Sequence, residues 1–235
     1  MTRHSPAHLA RFAVLLLAFA AVLASSTAFA HGVTGGDQRF LEQTAGSQVV
    51  PFMYLGAKHM VTGYDHLLFL VGVIFFLYRL RDVAVYVTLF SLGHSVTLLF
   101  GVLGEANVNP YIVDAIIGFS VVYKGLDNLG MLKRWFGFQP STKGAVLVFG
   151  LFHGFGLATK LQDFALSGEG LVGNILAFNV GVEIGQLLAL TVVLIGTGFW
   201  RRMEAFGRNA RRANLALIAA GFALVVYQMN GFFQS

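Results

Sequence analysis

The chain contains no cysteine, so disulfides and thiolate metal sites are excluded, and any metal ion must take nitrogen, oxygen or thioether ligands. Charge is scarce too. Only 11% of the 235 residues are Asp, Glu, Lys or Arg, where soluble proteins carry about 25%, while 56% are hydrophobic and the mean hydropathy is +0.71. Such a chain is a membrane protein. Its net charge of +5 does not point to nucleic acid, because the basic residues fall in short clusters between apolar runs and not in one stripe. Also missing are a phosphate-binding Gly-x4-Gly-Lys-Ser/Thr loop, a His-Glu-x-x-His pair and a Gly-x-Ser-x-Gly elbow. These absences argue against an ATP-driven pump and against the familiar hydrolase layouts.

What is present begins with Arg3 and Arg11 ahead of an apolar run from Phe12 to Ala24, closed by Ala28-Phe29-Ala30. This reads as a signal peptide over residues 1–30, cleaved to leave His31 as the outward-facing amino terminus. A polar N-terminal segment, 31–50, follows. The remainder, 51–235, holds six apolar segments at about 52–79, 83–103, 110–130, 144–160, 171–199 and 214–233. Each is near the ~20 residues needed to cross a hydrocarbon core of ~30 Å. The expected fold is therefore all-α, a polytopic membrane protein with six transmembrane helices. The connections Arg79 to Asp82, Lys133 to Lys143 and Arg201 to Arg212 are rich in Lys and Arg, whereas Gly104 to Asn109 holds none and Lys160 to Gly170 only Lys160. By the positive-inside rule the first set is cytoplasmic and both mature termini are periplasmic, as a signal peptide independently requires.

Inside these segments lie ionisable groups that are costly in a bilayer, by about 2.5 to 3.5 kcal/mol for a central charge, and that normally face the protein interior or a wet cavity. The clean apolar part of the first segment, Leu67 to Tyr78, would cover only about 18 Å as a helix. To span, it must draw His59, Asp65 and His66 into or just below the interface. His94, His153 and Glu183 each lie near the middle of a segment. Asn179, Glu183 and Gln186, at i, i+4 and i+7, form one helical stripe, and Thr88, Ser91 and Ser95 form another beside His94. Neutral imidazole with carboxylate suits a divalent transition metal, nickel, cobalt, zinc or iron, better than magnesium or calcium. In a regular helix His59 and His66 would lie about 10 Å apart along the axis, which favours a path with an outer and an inner station. A helix broken at Gly63 would instead let them meet. Two outer residues, His31 and Asp114, are weaker candidates for the entry, and Lys124 with Asp127, three residues apart, reads as a local ion pair.

The motifs HMVTGYDHLLFL, SLGHSVTL, FHGFGLA and FNVGVEIGQL, in this order over about residues 50–233, resemble the HupE/UreJ family of hydrogenase- and urease-associated membrane proteins. The resemblance implies a bacterial inner-membrane secondary permease for nickel or cobalt, with hydrogenase or urease maturation proteins as partners. It associates transport with a His-x5-Asp-His motif, here His59, Asp65 and His66. The usual nickel-permease form has a second His-Gly and a Glu shortly after Phe-His-Gly; here Phe155-Gly156-Leu157-Ala158 follows instead, as in a divergent branch.

The reading that follows is non-enzymatic: a divalent ion as substrate, no covalent cofactor, the lipid bilayer as surroundings and no nucleic acid. Two alternatives use the same residues, an intramembrane zinc-dependent hydrolase and a non-transporting assembly partner. Because a protonated imidazole cannot ligate, transport through these histidines is expected to weaken as the pH falls through ~6. Initial uptake rates measured across that range test this, and a flat profile would count against imidazole ligation.

Overall fold

The computed structural model describes residues 46–105, 108–162 and 168–235. The signal peptide, His31 and most of the polar N-terminal segment lie outside the described residues. Among the described residues there are eight helices and no strand: α1 Val49–Thr62, α2 Tyr64–Ile74, α3 Leu80–Leu103, α4 Pro110–Asn128, α5 Met131–Phe136, α6 Thr142–Leu161, α7 Leu171–Arg201 and α8 Phe206–Gln234. Four of them, α3, α6, α7 and α8, are long and apolar enough to cross a membrane. Helix α4, with 19 residues, is of comparable length but carries Asp114, Lys124 and Asp127.

Six continuous spans are not what the described residues show: α4 is not among the four, and the first expected span is broken. Gly63, at φ −76° and ψ 91°, interrupts it and leaves two pieces, α1 of 14 residues and α2 of 11. At ~1.5 Å per residue neither piece crosses a bilayer alone. Helix α2 packs mainly against α4 and also touches α1, α6, α7 and α8, so it lies within the bundle. A broken helix is tolerated at membrane depth where protein surrounds the break. The far end of α2 is closed by Arg201, whose guanidinium donates to the carbonyls of Ile74, Phe75 and Leu77 and lies 4.4 Å from the Tyr78 ring centroid. A cation there offsets the partial negative charge of the helix terminus.

Local sequence sets the other boundaries. Asn109 accepts from the Tyr111 amide at 3.0 Å and is followed by Pro110, which starts α4; Ser141 caps α6 in the same way. Gly130 and Gly137, both in the left-handed region at φ 69° and 77°, bracket the short α5. Helix α8 begins eight residues earlier than its apolar run, so Arg208, Arg211 and Arg212 lie on the helix.

Two seams of small residues bring the helices together. Along α3 and α6, a Cβ on Gly93 would lie 2.5 Å from the Leu147 carbonyl oxygen and one on Gly150 2.5 Å from that of Phe90, while one on Gly154 would collide with the His94 carbonyl and Thr97 Oγ1. Between α1 and α7, Gly56 lies against the Phe178 backbone and Gly181 against that of Met53. Such contacts let backbones approach until short polar side chains can meet. Outward-facing Leu188, Val192, Ile195 and Phe199 on α7, with Leu215, Phe222 and Val226 on α8, form the apolar belt expected where lipid is the solvent.

Candidate metal centre

The break at Gly63 places His59, on the last turn of α1, against His66, on the first turn of α2, with ring centroids 5.1 Å apart. The two-station path expected for a regular helix is therefore not what the chain adopts; the broken helix brings both imidazoles to one place. A Cβ on residue 63 would lie 2.9 Å from His66 Nδ1, so the imidazole covers the break where only glycine leaves room. From α3, His94 approaches to a centroid distance of 6.2 Å from His66, and from α6 His153 approaches to 4.6 Å. Ring nitrogens of His59, His66 and His94, one from each, lie within 4.8 Å of one another. Ligands at 2.0–2.1 Å from a tetrahedral ion are separated by about 3.3 Å, so a small side-chain adjustment closes this set on a metal. His66, His94 and His153 are wholly buried and His59 partly so.

The hydrogen bonds orient these rings for ligation. Asp65 Oδ1 accepts both the His66 backbone N–H and its Nδ1–H, each at 2.8 Å. His153 Nδ1 donates to the Phe149 carbonyl at 2.6 Å, and His94 Nδ1 meets Asn179 Oδ1 at 3.1 Å. With Nδ1 as the donor in each ring, Nε2 carries the lone pair a metal requires. Asp65 bonds Nδ1 of His66, the position a carboxylate takes behind a metal-ligating histidine. Asp65→Asn is therefore expected to weaken metal affinity by about 10- to 100-fold without unfolding the protein. Equilibrium binding of nickel to the purified chain measures this, and an unchanged affinity would remove Asp65 from the centre.

The two polar stripes face each other. Besides the His94–Asn179 contact, Ser91 Oγ donates to Gln186 Oε1 at 2.9 Å and Thr88 Oγ1 to Glu183 Oε1 at 3.0 Å. Glu183 is half-buried and lies outside the group of three converging histidines; Ser95 is half-buried on α3. Asp114 is buried and paired with Lys160 at 2.8 Å, so its charge is balanced across the α4–α6 contact. Lys124 and Asp127 form the expected ion pair at 2.5 Å, and Asp127 also accepts from Gln139.

Sequence reasoning missed the walls of the site. Phe90 packs on His66, His94 and His153, with centroids 6.0, 6.2 and 4.9 Å away; Phe69 lies 5.8 Å from His153 and Phe178 5.7 Å from His59. No periodicity marks these three among 23 phenylalanines. An aromatic wall lowers the local dielectric and disfavours hard, strongly hydrated cations relative to ions that bind imidazole.

Residues 36–235, the bulk of the chain, match the family described as HupE / UreJ protein. The chain belongs to the HupE/UreJ family. Members of the HupE/UreJ family are accessory or transport proteins, associated with nickel or cobalt uptake and with hydrogenase and urease maturation. Comparison with curated proteins and with solved structures found no match.

Proposed function

We propose that this HupE/UreJ protein is a secondary permease that carries a divalent transition-metal ion, nickel or cobalt, inward across the bacterial inner membrane. The observation that carries the reading is the convergence of His59, His66 and His94 at the break between two half-helices. Discontinuous helices meeting near the membrane midplane are how many secondary transporters build a substrate site. The ion is bound by the three imidazoles, held in an aromatic surround with His153 adjoining, and passes the Asn179–Glu183–Gln186 face of α7 on its way through. His31 and Asp114 would serve at the outer entry. Maturation proteins of hydrogenase or urease would receive the delivered metal.

An inside-negative potential of 100 mV favours entry of a divalent cation by about 4.6 kcal/mol, so accumulation needs no ATP. The experiment is nickel and cobalt uptake into proteoliposomes with a potassium diffusion potential imposed by valinomycin. Initial rates are expected to rise as the interior is made more negative. Rates indifferent to potential would contradict electrogenic uptake.

A further inference from the structure

Away from the histidines, a cleft of about 440 Å³ opens between α4 and α5. Its walls include Phe119, Tyr123, Leu126, Leu132, Trp135 and Phe138. A volume of this size suits a small organic ligand, and a lining so apolar suits a hydrocarbon. The cleft is a built feature. Left-handed glycines bracket α5, Leu132 anchors it by burial, and Gln139 ties the following loop to Asp127.

The exposed charge beside the cleft is basic, the neighbouring Asp127 being buried and paired with Lys124. Lys133 and Arg134 are exposed on α5, and Lys143 is exposed at the start of α6. From Asn128 to Gln162 the sequence has no Asp or Glu, and among the described residues none of these three cations is in an ion pair. Trp135, Phe136 and Phe138 are more than half exposed beside them. Aromatic rings next to free cations, at the end of membrane helices, match the level where acyl chains meet headgroups.

We propose that the α4–α5 cleft is a binding site for an anionic phospholipid. One acyl chain occupies the cleft against Phe119, Leu126 and Leu132, and the headgroup phosphate rests on Lys133, Arg134 and Lys143. The site lies outside the histidine centre and would exist whatever ion the protein carries.

Trp135 supplies the readout, since the chain has one other tryptophan, Trp200. The full chain carrying Trp200→Phe is reconstituted into phosphatidylcholine vesicles containing a small fraction of either phosphatidylglycerol or phosphatidylcholine brominated in the acyl chain. Brominated phosphatidylglycerol is expected to quench Trp135 at about tenfold lower mole fraction than brominated phosphatidylcholine. Combined Lys133→Gln, Arg134→Gln and Lys143→Gln, all at exposed positions, is expected to abolish the preference while leaving the elution profile unchanged. Equal quenching by the two lipids would reduce the cleft to ordinary bulk-lipid contact and overturn the proposal. Quenching by neither would show a cleft closed to lipid, and a preference that survives the triple substitution would overturn the headgroup assignment.

Discussion

Gly154→Val is expected to destabilise the protein by about 3 kcal/mol and to weaken its metal affinity in the same variant. A Cβ at this position meets the His94 carbonyl and Thr97 Oγ1, so α3 and α6 must move apart at the level of His94 and His153. Thr97 also bonds the Leu151 carbonyl across this seam at 2.6 Å, and that contact would be strained as well. Thermal unfolding in detergent measures the first effect and nickel binding to the folded fraction the second. Gly144→Val is the control: it is on the same helix, but no heavy atom other than those of Ser141 approaches its Cβ position within 4 Å, and it should leave both properties near wild type.

His66→Ala is expected to lower nickel affinity by at least about 100-fold, close to 2.7 kcal/mol. Among the four imidazoles His66 is central, touching His59, His94 and His153. Its loss removes one of three converging ring nitrogens and leaves the Asp65 carboxylate without the ring it orients. His66→Gln retains most of the side-chain volume, so similar losses in both variants would assign the effect to the missing ligand rather than to a cavity. An affinity that stays within about threefold of wild type in either variant would exclude His66 as a ligand.

Much of the centre could be read from the sequence because burying a polar group in a membrane demands a partner. The stripes on α7 and α3 were legible from helical period alone, and Ser91–Gln186, Thr88–Glu183 and His94–Asn179 show them facing each other. Lys124 and Asp127 were legible as an i, i+3 pair. Helical spacing favoured a two-station path over the break at Gly63 that the chain adopts, because glycine is tolerated in continuous membrane helices as well as at interruptions. The choice was made by tertiary packing: surrounding helices shelter α2, and Arg201, 127 residues from Ile74, closes its end. A contact between such distant residues leaves no local pattern. The same holds for Lys160 with Asp114, and for the aromatic walls, where phenylalanine serves equally well in core, lipid face or site. Helix α5 was hidden inside a basic connection whose composition reads as loop, yet its Leu132 is buried and its rings line a cleft.

The most direct test of the transport account is flux through the purified chain. Uptake of nickel, cobalt, zinc and iron into proteoliposomes would be compared for wild type, His66→Ala and Glu183→Gln. The account predicts uptake of nickel or cobalt by the wild type, loss of that uptake in His66→Ala, and a reduced rate in Glu183→Gln. Tight metal binding without flux in the wild type, or flux that survives His66→Ala, would contradict it.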